Sequence, residues 1–275
     1  MISLVRTLAV CRLAVVDGLR RHALKGLVAL AIAAELGGLL FFDFIPRDIG
    51  RASADFILSM AWIAGIVFIF FHGVNTLAWS EEKRVIYTVL ARPISRDEYV
   101  IGTFAGLAAL LLLLNAILAF LGYGTLLLIK GSVKSVYFPV LSTSGYLLAW
   151  LGLFAAELML LSALVLFSGL VRGAFPVLLM GIAFYGIASG LPVVRIATAL
   201  RVQDEKTYAW ISEVLRVLAA VFPDFGRLDF KDFIGVQAVF QEDLTGFLVA
   251  LGLAVAYVTV MLLAACAVYR KRDLL

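Results

Sequence analysis

Long apolar stretches fill most of the chain, and short polar segments separate them. A helix needs about 20 consecutive apolar residues to cross a bilayer, and six stretches approach or exceed that length. The predicted spans are 26–42, 55–79, 100–129, 146–169, 175–190 and 245–268. The third is long enough to tilt or to project from the bilayer. The fifth reaches Leu191-Pro192 after 16 residues, so we expect it to stop short of the opposite membrane surface.

Helices are the expected spanning elements. Regular alternation of apolar and polar residues, the pattern of an outer-membrane barrel, is scarce, and in hydrocarbon a helix satisfies its backbone groups within one segment. Of the 275 residues, 63% are hydrophobic and 15% are charged, against about 45–50% and about 25% in soluble domains. We therefore predict an all-α integral membrane protein in which residues 1–275 form one transmembrane domain.

Basic residues are distributed unevenly between the two predicted sides of the membrane. Segments 1–25, 80–99, 170–174 and 269–275 hold 13 basic and six acidic residues, a net charge of +7. The segments on the other side, 43–54, 130–145 and 191–244, hold ten of each and are neutral. Because cytoplasmic loops carry the excess of Lys and Arg, we predict a multi-pass protein of the inner (cytoplasmic) membrane with both termini in the cytoplasm. The pI near 9.1 reflects this asymmetry and gives no reason to expect nucleic acid.

The segment before the first span predicts an amphipathic helix. One face carries apolar residues at helical spacing, and the other carries mostly charged ones. The apolar residues are Leu4, Leu8, Cys11, Val15 and Leu19. We interpret residues 1–25 as an interfacial helix on the inner leaflet. A cytoplasmic extension of the first span is the alternative.

Segment 80–99 carries several helix signals in succession. Ser80 can cap a short helix whose first turn holds Glu81-Glu82, a favourable place for acidic residues. Arg92-Pro93 ends that helix, and Ser95 with Glu98 forms a capping box that starts the helix of the third span. This stiff cytoplasmic element suits docking to a partner, although an ordinary capped loop has the same signals.

The long segment 191–244 also predicts an amphipathic helix. Apolar residues recur there at helical spacing, and a proline follows them. They are Ile211, Val214, Leu215, Leu218 and Phe222. We expect this extracytoplasmic helix to rest on the outer leaflet or to cap the bundle.

Catalytic signals are missing from the sequence. It contains no phosphate-binding loop, no H-E-x-x-H and no paired C-x-x-C, and its only histidines are His22 and His72. We therefore predict no catalytic residue, no metal site and no cofactor in this chain, which we expect not to be an enzyme by itself.

Three polar residues lie deep in predicted spans. Glu35 and Glu157 fall near the middle of the first and fourth spans, where an ionised carboxylate is costly and marks a pathway or a bundle interior. Together with Asn115 they form a candidate substrate path. For the two glutamates, a protonated side chain bonded to a neighbouring helix is an equal alternative, and for Asn115 an interhelical hydrogen bond is the favoured interpretation.

The stretch from Glu81-Glu82-Lys83-Arg84 through Leu90-Ala91-Arg92-Pro93-Ile94-Ser95-Arg96 to Gly102 resembles the permease subunits of ABC-2 type transporters. The six spans, the amphipathic first helix and the long outer segment are similar to that family as well, including the nitrous-oxide-reductase accessory permeases. Thr103 departs from the pattern, since a lysine commonly follows the glycine there.

This resemblance implies an ATP-driven transporter, an exporter by preference, in which 81–91 is the coupling helix. The implied partners are two copies of an ATPase subunit that holds ATP and Mg, a second permease copy forming a homodimer, and membrane lipid. The implied coupling residues are Glu81, Glu82, Arg84, Arg92, Pro93 and Arg96.

Two other functions remain open. The chain could be an ATP-independent channel or secondary transporter that uses its buried glutamates, although visible inverted repeats are lacking. It could also be a mechanical transducer that is driven by an ATPase and acts on an extracytoplasmic partner through 191–244.

Overall fold

The structure is a computed structural model that describes residues 3–20, 26, 28–33, 49–79, 94–134, 136–138, 140–200, 214, 217–218, 221–235 and 241–271. These residues form helices and short connections, with no strand among them. The α-helices are α1 (Leu4–Arg20), α2 (Ile49–Val67), α3 (Arg96–Ser132), α4 (Thr143–Leu170), α5 (Ala174–Leu200) and α6 (Gln241–Lys271). Two π-helical segments, Phe68–Gly73 and Asn75–Trp79, continue α2, and two 3₁₀ turns, Phe225–Leu228 and Lys231–Gly235, precede α6.

Among the described residues, five helices are long and apolar enough to cross a membrane, and each overlaps one of the predicted second to sixth spans. They cover Ile49–Ala78, Arg96–Ser132, Thr143–Leu170, Ala174–Val193 and Leu244–Lys271. The predicted first span, 26–42, lies largely outside the described residues, of which 26 and 28–33 are helical. The structure thus supports a membrane-like all-helical protein, and the first span, 26–42, stays a prediction.

Contacts between helix ends show that successive spans alternate in direction. At one end of the bundle, the start of α3 meets both the start of α1 and the end of α6, since Ser3 N donates to Glu98 Oε1 (2.7 Å) and Arg96 Nη1 donates to Tyr269 O (3.0 Å). At the other end, Ser142 N donates to Ile234 O (3.0 Å). We call these ends the termini face and the far face. Both described chain ends therefore lie on the same face.

Helix α1 forms where predicted but packs with a different face. Leu4, Leu8 and Leu19 are 79%, 65% and 43% exposed, and α1 instead lies lengthwise on α3 with small or short residues. Those residues are Thr7, Val10, Cys11, Ala14 and Gly18.

Two glycines one turn apart on α3 explain this choice of face. A Cβ at Gly102 would lie 2.9 Å from Thr7 O, and one at Gly106 would lie 2.9 Å from Cys11 O. Such a G-x-x-x-G spacing lets two helix backbones approach closely, and leucines on α1 would hold them apart.

Helix α5 is longer than predicted. The expected stop at Leu191-Pro192 is wrong, because the helix continues through Pro192 to Leu200. Proline is tolerated inside membrane helices when neighbouring groups compensate for the lost backbone bond. The Pro192 ring packs beside Gly226, where an added Cβ would lie 3.2 Å from Pro192 Cγ.

Helix α4 is the centre of the bundle, with 72% of its most apolar window buried, whereas the corresponding window of α6 is 17% buried. A three-residue turn joins α4 to α5, and Gly173 in this turn has φ 102°, a conformation that favours glycine. Residues on α4 are therefore the best placed to contact several other spans at once.

Candidate functional site

A hydrogen bond between two spans lies in the middle of the bundle. Asn115 of α3 donates from Nδ2 to Glu157 Oε2 of α4 at 2.6 Å, and the same nitrogen donates to Leu111 O at 3.1 Å. Glu157 is fully buried, and Asn115 is 5% exposed. The structure thus brings together two of the three residues of the candidate substrate path, and it shows the interhelical bond favoured for Asn115. We call Asn115 and Glu157 the core polar pair.

A glycine on α2 makes room for the carboxyl group of this pair. A Cβ built at Gly65 would overlap Glu157 Oε1, and it would lie 3.1 Å from Oε2. Helices α2, α3 and α4 therefore meet at this carboxyl group. Gly65 was not among the site residues predicted from the sequence. Its only sequence signal was a glycine within an apolar span, which by itself does not identify the helix it will face.

Two oxygens of the core polar pair are left unpaired. Glu157 Oε1 and Asn115 Oδ1 are buried and make no hydrogen bond within the described residues. Leaving a buried polar group unsatisfied costs about 1–3 kcal/mol. Glu157 Oε1 can accept a proton or a hydrogen-bond donor, and Asn115 Oδ1 can accept a hydrogen-bond donor, without first breaking a bond.

The span that carries Gly65 departs from α-helical geometry just beyond it. Residues Phe68–Gly73 and Asn75–Trp79 form π-helical turns, a rare geometry that occurs frequently at functional sites. His72 lies in the first of them, 6% exposed and tilted against the ring of Phe68, with ring centroids 5.1 Å apart. It also neighbours α1, because a Cβ at Gly18 would lie 3.0 Å from His72 Nε2. The irregular segment thus lies between the core polar pair and α1.

The predicted capping box at the start of α3 is present. Ser95 N donates to Glu98 Oε2 (2.8 Å), and Glu98 N donates to Ser95 Oγ (3.2 Å). The other carboxylate oxygen, Oε1, accepts from Ser3 N at the start of α1. The buried carboxylate of Glu98 therefore connects the start of α3 to the start of α1.

The two residues between Ser95 and Glu98 bind the last helix. Arg96 Nη1 donates to the carbonyls of Tyr269 (3.0 Å) and Arg270 (2.9 Å) near the end of α6. Asp97 Oδ1 accepts from Arg270 Nε at 2.8 Å. Arg96 was a predicted coupling residue, and the structure places its guanidinium on the chain's own last helix. We call Ser3, Ser95, Arg96, Asp97, Glu98 and Arg270 the termini cluster.

The other predicted site residues lie outside the described part of the chain. They are Glu35, Glu81, Glu82, Arg84, Arg92 and Pro93. Within the described ranges, no group of three or more His, Cys, Asp or Glu side chains could hold a metal ion.

Comparison with known proteins adds no relative. No protein-family model matches the sequence, and no curated protein is significantly similar to it. The function is therefore argued from the chain's own residues.

Proposed function

We propose that this chain is the membrane-spanning permease subunit of an ATP-binding-cassette transporter of the ABC-2 type, working as an exporter. The observation that carries the proposal is the termini cluster, in which Ser95–Glu98 belong to the predicted cytoplasmic element 80–99 and begin four residues after the end of the predicted coupling helix, 81–91. A segment moved by an ATPase needs a firm connection to the spans. The capping box and the Arg96 bonds supply such a connection to α1, α3 and α6.

Helix α3 supplies the route from this connection to the bundle interior. Asn115 lies 19 residues beyond Arg96, which is about 28 Å along an α-helix. A tilt or shift of α3 that starts at the termini cluster would therefore displace Asn115 relative to Glu157. The unpaired oxygens of the core polar pair give that displacement a chemical consequence, since each can take up a hydrogen-bond donor that the displacement brings within reach.

In this proposal the chain is a multi-pass protein of the cytoplasmic membrane with its termini in the cytoplasm, and it forms a homodimer. Two ATPase subunits dock on the cytoplasmic side and hold ATP and Mg. The permease chain itself performs no catalysis.

Secondary transport is the second candidate, and one observation favours it. Glu157 is a buried acid with an unpaired oxygen, the kind of residue that ion-coupled transporters use as a relay. The two proposals differ in whether a separate ATPase is needed.

Charge reversal in the coupling segment tests the proposal. The double variant Glu81→Lys, Glu82→Lys should reduce ATPase binding to the purified permease or uncouple ATP hydrolysis from transport, because the first turn, now basic, would repel an interface that accepts the native negative charges. The same reversal at Asp204 and Glu205, an adjacent acidic pair in the predicted outer segment, is the matched control. If the Glu81→Lys, Glu82→Lys variant binds the ATPase and couples hydrolysis to transport as well as the control variant does, the assignment of 81–91 as a coupling helix is wrong.

A further inference from the structure

The far face contains a cavity of about 260 Å³. Its walls come from α2, α4 and α5, and the 3₁₀ turn at 225–228 with the residues after it covers one side. The interior is mostly apolar and aromatic, with Leu58 and Trp62 on α2, Leu153 on α4, Tyr185 on α5 and Phe225 in the turn. An engineered apolar cavity of about 150 Å³ binds benzene, so this space is large enough for a bulkier apolar group.

The cover of the cavity is fixed to α4 by close backbone contacts. The carbonyls of Phe233 and Leu228 lie where Cβ atoms of Gly145 and Gly152 would be, two glycines seven residues apart on one helix face. Ser142 N also donates to Ile234 O (3.0 Å). Because these contacts fix the cover along the α4 wall, the space exists without a rearrangement of the cover.

Three aromatic rings form one wall. The ring centroids of Trp62, Tyr185 and Phe225 lie 5.8–6.4 Å apart, and Trp62 Nε1 donates to the Tyr185 hydroxyl at 3.2 Å. The hydrogen bond holds the indole in place. An apolar pocket with a few fixed polar groups is the usual form of a small-molecule site.

The lining ends in one acidic and one basic residue. Asp229 and Lys231 line the cavity and form an ion pair of 3.7 Å, with side chains that are 51% and 34% exposed. Exposed pairs of this kind are weak, at most about 1 kcal/mol, so each charge is available to a ligand. The cavity therefore combines an apolar interior with one charge of each sign at its exposed edge.

The core polar pair does not take part in this cavity. Glu157 is absent from the lining, and its neighbour Ala156 faces the cavity instead. On α2, Trp62 faces the cavity, whereas Gly65, one turn further along, faces Glu157. Among the described residues of the lining, Asp229 and Lys231 are the charged partners that a ligand here would meet.

We propose that this cavity binds a zwitterionic amphiphile, with the apolar body against Trp62 and Leu153 and the oppositely charged head groups against Asp229 and Lys231. The proposal does not depend on ATP-driven transport, because it concerns binding to the chain alone. The positive group of the ligand pairs with Asp229, and the negative group pairs with Lys231.

Quenching of Trp62 fluorescence tests the binding. The full-length protein in nonionic maltoside micelles, with Trp79, Trp150 and Trp210 replaced by Phe, would be titrated with an alkyl phosphocholine brominated at the chain end. We expect saturable quenching. Equally long brominated alkyl sulfate and alkyl trimethylammonium should bind about fivefold more weakly, the equivalent of about 1 kcal/mol. Quenching that rises linearly with amphiphile, or equal affinity for the three head groups, would overturn the proposal.

Two variants separate the cavity from general contact with detergent. Ala149→Leu fills the space and should abolish saturable quenching, whereas Ala183→Leu, the same change at an exposed position of α5 outside the lining, should preserve it. If Ala149→Leu does not fold, Lys231→Gln provides the decision, because it leaves the space open. It should abolish the preference for phosphocholine over trimethylammonium. An unchanged preference in Lys231→Gln, or saturable quenching in a folded Ala149→Leu variant, would contradict the proposed site.

Discussion

Replacing Asn115 by leucine should destabilise the bundle much more than the small difference in size between the two side chains suggests. Leucine has nearly the branching of asparagine but cannot donate to Glu157 Oε2. The carboxyl group, whose Oε1 already lacks a partner, would then be buried with both oxygens unpaired. The perturbation thus isolates the 2.6 Å bond of the core polar pair.

The magnitude follows from the two groups that lose a partner. An interhelical hydrogen bond in a membrane protein contributes about 0.6 kcal/mol on average and about 1.7 kcal/mol at most, and a newly unsatisfied buried oxygen costs about 1–3 kcal/mol. We expect Asn115→Leu to lower the free energy of unfolding by about 2–3 kcal/mol. Glu157→Met should cost about 1 kcal/mol or less, because it also removes the unpaired Oε1 and leaves the Asn115 bond to Leu111 O intact.

The double variant completes the cycle. With both polar groups replaced by apolar ones, no carboxyl group remains unpaired, and replacing both partners can be nearly neutral. The two single effects should therefore be non-additive by about 2 kcal/mol. Equilibrium unfolding of the purified protein in mixed micelles with increasing SDS measures all four free energies. Ala116→Leu, next to Asn115 but exposed, is the control and should change stability by about 0.5 kcal/mol or less.

Additive effects of the two single variants would refute this reasoning. They would mean that Glu157 does not depend on Asn115 for its polar contact. A more stable Asn115→Leu variant would have the same meaning.

Three further predictions follow from other contacts. Gly65→Ala should destabilise the protein by about 1–3 kcal/mol through overpacking, measured by the same SDS unfolding, whereas Gly124→Ala, with open space beside it, should be neutral or stabilising. Glu98→Ala should accelerate amide exchange in the first turns of α1 and α3, since both lose an acceptor; unchanged exchange would contradict the tie between them. An impermeant thiol reagent outside intact cells should label a cysteine at Trp210 and miss one at Leu90, and the reverse pattern would invert the proposed topology.

Local features of the fold were predictable from the sequence. The apolar runs of the predicted second to sixth spans are long enough to indicate helices that could cross a membrane, and the Ser95–Glu98 capping box depends on residues three apart. Each of these signals lies within a single short stretch of the sequence. Neither requires knowledge of which helix lies beside it.

Features that depend on packing between helices were missed. The face of α1 that packs on α3 was not predicted, because the G-x-x-x-G pattern that selects its smaller residues lies on the other helix. The stop at Pro192 was wrong because the rule for an isolated helix omits the support that neighbouring segments give inside a bundle. Gly65 and Glu157 are 92 positions apart, so no local pattern joins them.

The composition of the native complex tests the central claim most directly. Native mass spectrometry of the affinity-purified protein, extracted from its own membranes in a mild detergent, would report which chains remain bound. The account predicts two copies of this chain with two copies of a nucleotide-binding ATPase, and loss of the ATPase in the Glu81→Lys, Glu82→Lys variant. A complex that contains this chain but no nucleotide-binding subunit, from membranes in which the protein is active, would contradict it.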